Sequence, residues 1–203
     1  MCEAINTSIE ECNFPQNLKK AVITPIIKES TSDRNNLRNY RPVSCLCFMS
    51  KIFEKVLYNQ IYEHLKVNKL QAKYQSAYKP YHSCETALAK ITNDIGTELS
   101  DGKNVLLVLL DSSAAFDTVD HEILLDRLNN EYLIKGKALQ LIASYLKKRS
   151  FKVIVNATES SPKVLDWGVP QGSRLGPIFY NLYVSKGVKK IVLKHRLKVH
   201  LRR

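Results

Sequence analysis

Residues 104–121 read NVLLVLLDSSAAFDTVDH, and this stretch decides how the rest of the chain is interpreted. An unbroken apolar run, Asn104–Leu110, follows the turn signal Asp101-Gly102, which is typical of a strand buried on both faces. Asp111 comes directly after that run. The pattern predicts a buried strand whose C-terminal end holds a carboxylate at the mouth of a site.

A carboxylate in that position suits a hard cation. Proteins bind Mg²⁺ through one or two carboxylates together with substrate phosphates, so Asp111 is a candidate metal ligand. Asp117 and Asp120 follow at short spacing. For these two the structural interpretation is favoured, in which Asp117 is a hydrogen-bond acceptor and Asp120 caps a helix.

A second informative stretch, GVPQGSRLGP, occupies residues 168–177. Glycines on either side of Pro170-Gln171 predict a tight turn whose backbone can approach a ligand closely. A helix is predicted directly afterwards, over Ser173–Val184. Taken alone, the stretch could also be an ordinary loop before a helix.

Outward from these two stretches, the hydrophobic periodicity predicts a mixture of helices and short strands. The predicted strands are Lys20–Ile27, Phe151–Val155 and Lys163–Trp167, with a loop at Ser30–Arg41. The predicted helices are Met49–Leu65, Ser83–Leu99 with Ser83 as its N-cap, Asp120–Leu128 and Gly136–Leu146. In the last residues, Val188, Ile191 and Val192 suit a short helix, and Leu197, Val199 and Leu201 alternate as in a half-exposed strand. The fold class is therefore α+β, with helices packed on a small sheet in two lobes.

The charge balance points to a polyanionic partner. The 203 residues carry 31 Lys and Arg against 19 Asp and Glu, a formal net charge of +12. Much of this excess lies in residues 186–203, which contain basic side chains and no acid. Nucleic acid is the simplest partner, and an acidic membrane surface is second.

Several classes of protein are disfavoured. The longest aliphatic run, Val105–Leu110, is far shorter than the roughly 20 residues of a membrane span, so no transmembrane segment is expected, and no membrane is among the partners implied by the resemblance described below. The N-terminus does not resemble a signal peptide. The five cysteines lack paired spacing, which favours reduced thiols over disulfides or zinc. We therefore expect an intracellular protein, cytoplasmic or nuclear and not secreted.

Four motifs in order carry a resemblance to a known family. They are NYRPVS with KIFEK (39–44 and 51–55), QSAYKPYHSCETAL (75–88), LDSSAAFDTVDH (110–121) and GVPQGS (168–173). Together these motifs resemble the reverse transcriptases of non-LTR (LINE-type) retrotransposons. The resemblance covers about residues 13–201.

The resemblance implies a partial right-hand polymerase fold, with fingers, an incomplete palm and no thumb. Residues 1–98 would form the fingers-like part. Residues 99–203 would form the incomplete palm, with a fingers-like insertion at about 131–165. The implied reaction is two-metal nucleotidyl transfer by an RNA-directed DNA polymerase, with Mg²⁺ as cofactor and an RNA template, a DNA primer and dNTP as partners. The oligomeric state stays open.

Residue by residue, the resemblance assigns roles to the matching positions. Asp111 would be the first catalytic and metal-binding carboxylate. Phe116, five residues later, would be the aromatic gate that excludes a ribose 2′-OH. The dNTP would be bound by Lys28, Arg41, Phe116 and Gln171. The template and primer would be contacted by Gly168, Pro170 and Gly172.

The departures from the family pattern concern the chemistry. No aromatic-x-Asp-Asp motif occurs in the 203 residues, and the sequence stops where the family's Tyr-Ala-Asp-Asp hairpin is expected. Smaller departures are Ser112, Lys79 and Arg174, the last of which could disturb packing beneath a nascent base pair. We therefore expect little polymerase activity from this chain alone. The alternatives are a non-catalytic module that binds RNA or an RNA–DNA hybrid, and an unstable fragment with uncovered apolar surface.

Overall fold

A computed structural model describes residues 2–72, 75–109, 111 and 114–195. Its helices are α1 Cys2–Glu10, α2 Phe48–Val67, α3 Cys84–Ser100, α4 His121–Asn130, α5 Gly136–Leu146 and α6 Gly176–His195. Its strands are β1 Lys20–Ile27, β2 Tyr40–Leu46, β3 Arg149–Val155, β4 Thr158–Glu159 and β5 Lys163–Leu165. Short 3-10 turns at Gln16–Lys19 and Leu37–Asn39 precede β1 and β2.

The strands form one small mixed sheet in the order β2-β1-β3-β4, with β5 also paired to β3. β1 and β2 run antiparallel with Ala21 opposite Leu46 and Ile27 opposite Tyr40. β1 and β3 run parallel, with Lys20 opposite Ser150. The predicted combination of helices and a small sheet is confirmed.

The hydrophobic core lies among α2, α4, α5 and α6. Phe14 stacks on Phe53 with 4.7 Å between ring centroids and meets Tyr145 edge-on at 5.0 Å. The core residues of α2 recur at helical spacing, which is why the periodicity of that segment predicted a helix. The fully buried part of this core includes Phe14, Phe53, Val119, Leu124, Leu128, Tyr145, Leu146, Leu175 and Phe179.

Several element predictions are confirmed with small shifts at their ends. β1 and α5 have the predicted bounds, and α2 and α4 differ by a few residues. Ser83 caps α3 by accepting the Thr86 N–H, and the Thr86 hydroxyl accepts the Ser83 N–H in return. Asp120 caps α4 by accepting the Ile123 N–H at 2.9 Å, so the structural interpretation of Asp120 is confirmed.

The prediction of a buried strand at Asn104–Leu110 is wrong over its described part. Residues 103–109 have no regular secondary structure, and Leu106 and Leu109 are 87% and 83% exposed. An apolar run becomes a buried strand only when neighbouring strands satisfy its amides and cover its side chains. No strand among the described residues pairs with this run. Leu110 lies outside the described residues.

Two further expectations are corrected. β2 begins at Tyr40, inside a segment that was predicted as part of a loop, and its Pro42 lies opposite Pro25 of β1. Prolines donate no ladder hydrogen bond, so they masked the strand in the sequence. α6 is one helix to His195 rather than two. The predicted strand at Leu197–Leu201 lies outside the described residues.

No helix in the described ranges is long and apolar enough to cross a membrane. All five cysteines are free thiols, in agreement with the expectation from their spacing.

Candidate functional site

The two stretches that the sequence singled out lie against each other. The Gly168 N–H donates to the Val119 carbonyl at 2.8 Å, and the Val169 N–H donates to the Phe116 carbonyl at 2.8 Å. The Nε2 of His121 lies 2.7 Å from the Gly168 carbonyl oxygen. A carbonyl can only accept, so His121 carries its proton on Nε2 and donates it there. Three hydrogen bonds thus fix the start of the 168–172 loop.

Glycine is required at both ends of this loop. Gly168 has a φ of +80°, and a Cβ there would lie 2.8 Å from the Cα of Asp117. Gly172 has a φ of +117°, and a Cβ there would lie 2.7 Å from the carbonyl oxygen of Ser44. Side chains rarely adopt such φ values, and backbone atoms cannot move aside cheaply. A close backbone approach is therefore observed at both glycines, and it is made to other parts of this chain; the predicted approach to a ligand stays a prediction.

The middle of the loop is attached to the β1–β2 hairpin. The Ser44 N–H, on β2, donates to the Gln171 carbonyl at 2.8 Å. Pro170 is buried and Gln171 is half-buried. A small cleft of about 40 Å³ lies here between the sheet and the loop. It is lined by Ala21, Ile23, Pro42, Ser44, Asp117, Arg149, Ser150, Phe151, Leu165, Val169, Pro170 and Gln171.

The two candidate phosphate-binding cations lie at one end of the same hairpin. Lys28 follows β1 directly, and Arg41 on β2 is paired with Ile26 of β1. Both side chains are exposed. The Nζ of Lys28 donates to the Arg38 carbonyl at 2.6 Å, which ties the loop between the strands to the end of β1. Arg41 stands three residues before Ser44, the residue that contacts the 168–172 loop.

Phe116 is buried with 9% of its surface exposed. Its ring centroid lies 5.6 Å from that of Tyr180 on α6, at an interplanar angle of 54°. The ring therefore packs against the helix that follows the loop.

Asp111 is exposed and follows the irregular run 103–109. Its neighbours Ser112 and Ser113 lie outside the described residues, so the family departure at Ser112 receives no structural account. Within the described ranges, no group of three His, Cys, Asp or Glu side chains comes together as a metal site. Asp111 has the right chemistry for Mg²⁺, but these residues do not assemble a complete donor set.

The sequence did not assign a role to Glu54, a fully buried carboxylate on α2. Its Oε2 accepts the Arg174 N–H at 2.6 Å, and its Oε1 accepts the hydroxyls of Tyr145 at 3.0 Å and Ser50 at 3.4 Å. The sequence did contain one indication of this buried carboxylate. Glu54 follows Phe53 within the apolar stripe of an amphipathic helix, where charged residues are rarely found.

Arg174 follows the loop, and its predicted effect on packing beneath a nascent base pair stays a prediction. Its side chain is exposed, and its backbone N–H makes the bond to Glu54. The neighbouring Ser173 is buried, and its hydroxyl accepts the Gly176 N–H at 2.7 Å at the start of α6.

Comparison with known proteins agrees with this arrangement of motifs. Residues 26–201 match the model of the family described as "Reverse transcriptase (RNA-dependent DNA polymerase)". A Drosophila melanogaster protein named "Probable RNA-directed DNA polymerase from transposon BS" is 30% identical over 172 residues, which is 85% of this chain and 19% of that protein. The RNA-directed DNA polymerase from mobile element jockey of the same species is 30% identical over 180 residues, 89% of this chain and 19% of that protein.

A more distant relative is the Pol polyprotein from the type-1 retrotransposable element R1 of Bradysia coprophila, 26% identical over 176 residues. The chain spans about a fifth of the length of the first of these relatives. The matched region includes Arg41, the 110–121 motif and the whole of the 168–172 loop. The chain belongs to the reverse transcriptase family and contains a reverse transcriptase domain similar to those of non-LTR retrotransposons.

Proposed function

We propose that these 203 residues form the fingers and part of the palm of an RNA-directed DNA polymerase. In this proposal residues 1–98 are fingers, and residues 99–203 are palm with a fingers-like insertion at about 131–165. The observation that carries the proposal is the attachment of the 168–172 loop to two separate parts of the chain. It bonds to β2 through Ser44 and to the 116–121 segment through Val119 and Phe116.

The attachment matters because it links the loop to Phe116 and to the hairpin that carries the other two candidate nucleotide contacts. Arg41 and Lys28 are exposed cations on the hairpin that holds Gln171. Arg41 has the planar fork that binds a triphosphate in two places at once, whereas Lys28 supplies a point charge. Phe116 acts as the gate against a ribose 2′-OH, and Gly168, Pro170 and Gly172 present backbone to the template and primer. RNA template, DNA primer and dNTP are the proposed partners.

Mg²⁺ is the proposed cofactor, with Asp111 as a ligand. When bound, paired Mg²⁺ ions supply activation of the attacking hydroxyl and stabilisation of the leaving group. The residues described here provide an incomplete set of metal ligands. We therefore expect them to bind and position the nucleotide and the nucleic acid, but not to synthesise DNA efficiently. Asp111 alone cannot hold two ions in a fixed relationship.

A second candidate is a non-catalytic module that binds RNA or an RNA–DNA hybrid. It is favoured by the net charge of +12 and by the exposed cations Lys28 and Arg41. The affinity of such a module for nucleic acid falls steeply as the salt concentration rises. Binding is driven by the release of cations that are condensed on the phosphates, and added salt reduces the gain from that release.

A dNTP titration in the presence of an RNA–DNA hybrid separates the two candidates. We expect Arg41→Gln to weaken dNTP affinity about tenfold and Arg41→Lys to restore little of it, because lysine lacks the planar fork. Lys66→Gln, which removes an exposed cation from α2, serves as the control for lost charge. Hybrid binding without dNTP binding in the unaltered chain would support the second candidate instead.

A further inference from the structure

Glu54 is buried at a place where a carboxylate is costly. It has no exposed surface, and burial raises the pKa of this carboxyl above its ordinary value. The hydrogen bonds from Arg174, Tyr145 and Ser50 and the charge of Arg149 act in the opposite direction. An apolar residue of similar size would avoid this cost, so the carboxylate calls for a specific explanation.

A buried cation balances the carboxylate across an aromatic ring. Arg149 is 1% exposed, and its guanidinium carbon lies 4.5 Å from the ring centroid of Tyr145. Its Nη1 donates to the Tyr145 carbonyl at 3.2 Å, while the Tyr145 hydroxyl donates to Glu54. Tyr145 therefore lies between the two charges, and α2, α5 and β3 are joined through one polar network.

The network reaches the two residues that follow the 168–172 loop: Glu54 accepts the Arg174 N–H, and the Tyr145 hydroxyl interacts with the side chain of Ser173. The start of the loop is held by Val119, Phe116 and His121, and its middle by Ser44. The bond from Arg174 to Glu54, at 2.6 Å, holds its far end, just before α6 begins.

We propose that Glu54 is a positioning residue that fixes the far end of the 168–172 loop through the Arg174 N–H and thereby sets the place of Gln171 in the nucleotide site. The assignment of the nucleotide site rests on the proposed function above. The contact to Arg174 is a property of the fold and does not depend on it. The buried carboxyl group is retained because it anchors the loop. Its partner is the backbone N–H of residue 174, so the anchor does not depend on which side chain stands at that position.

Amide hydrogen exchange of the intact chain tests the anchor directly. Glu54→Gln removes the charge and one of the two acceptor oxygens, and we expect exchange at Arg174 to become about tenfold faster. Ser50→Ala removes a donor from the opposite carboxylate oxygen and leaves the Arg174 bond in place, so exchange at Arg174 should change less than about twofold. Glu63→Gln removes an exposed acid from the same helix and should change nothing.

Two results would overturn the proposal. One is unchanged exchange at Arg174 in Glu54→Gln. The other is an equal acceleration in Ser50→Ala, which would mean that Glu54 stabilises the core as a whole. If Glu54→Gln does not fold, Glu54→Asp replaces it. This variant keeps the carboxyl group but shortens the side chain by one methylene, which moves it away from the Arg174 N–H, and we expect the same faster exchange at Arg174.

A dNTP titration in the presence of hybrid supplies a second readout. Glu54→Gln should weaken dNTP affinity about tenfold with hybrid affinity unchanged, and equal weakening of both would contradict a role at Gln171. If the unaltered chain binds no dNTP, the proposed function fails while the exchange result still decides whether Glu54 anchors the loop.

Discussion

Gly168 lies so close to Asp117 that no side chain fits between them: a Cβ on Gly168 would be 2.8 Å from the Asp117 Cα. The same Cβ would be 2.8 Å from the Phe116 carbonyl oxygen. The contact joins two segments that are far apart in sequence and brings the Gly168 carbonyl to His121. The geometry of the candidate site therefore depends on this approach of backbone to backbone.

Gly168→Ala should destabilise the protein by about 3 kcal/mol, from strain at positive φ together with overpacking. Gly102→Ala is the matched control, because Gly102 has a φ of +73° and open space around its Cα. Gly102→Ala introduces the backbone strain without overpacking, so it should lower the free energy of unfolding by about 1 kcal/mol. Urea unfolding measures both. Equal losses would show that the contact with Asp117 imposes no cost of its own.

The stability of the protein should depend on pH through Glu54. Its pKa is raised in the folded state above the ordinary 4.5, so the folded protein holds a proton that the unfolded chain releases. The stability that Glu54 contributes is therefore complete below pH 4.5 and is lost as the pH rises through the folded pKa.

The test compares the unaltered chain with Glu54→Gln by urea unfolding between about pH 4 and pH 8. The free energy of unfolding of the unaltered chain should fall relative to that of the variant as the pH rises, and then level off. Glu63→Gln should follow the unaltered chain. A difference that is constant over the whole range would contradict a raised pKa at Glu54.

The aliphatic run at residues 105–109 should promote self-association. Leu106 and Leu109 are among its most exposed side chains, and exposed apolar patches favour aggregation. The double change Leu106→Lys and Leu109→Lys should lower light scattering and alter the free energy of unfolding by less than about 0.5 kcal/mol. Leu37→Lys is the control, since Leu37 is 86% exposed and lies away from this run in sequence. A large loss of stability in the double variant would show that the run is packed in solution.

The same run shows where sequence reasoning reached its limit. Helical periodicity is a local property, and it predicted α2, α4 and α5 well because each contributes an apolar stripe to one core. A buried strand instead depends on distant neighbours, and the composition of Asn104–Leu110 says nothing about whether they are present. Prolines likewise hid β2, although Pro25 and Pro42 lie opposite each other within a regular pair.

The candidate site was predictable in part. The glycines of the 168–172 loop indicated a close backbone approach, and the structure has it at both Gly168 and Gly172. Their partners, Asp117 and Ser44, could not be deduced, because pairing of distant segments leaves no local pattern. The anchoring contact of Glu54 was missed for the same reason: its acceptor bond goes to a backbone N–H, which every residue except proline has.

Primer extension on a poly(rA) template measures whether these 203 residues synthesise DNA. We expect them to bind an RNA–DNA hybrid in a salt-dependent manner and, with Mg²⁺ and dNTP, to incorporate little or no nucleotide. Asp111→Ala is the control, and it should leave hybrid binding unchanged. Robust Mg²⁺-dependent incorporation that Asp111→Ala abolishes would show instead that these residues form an active polymerase.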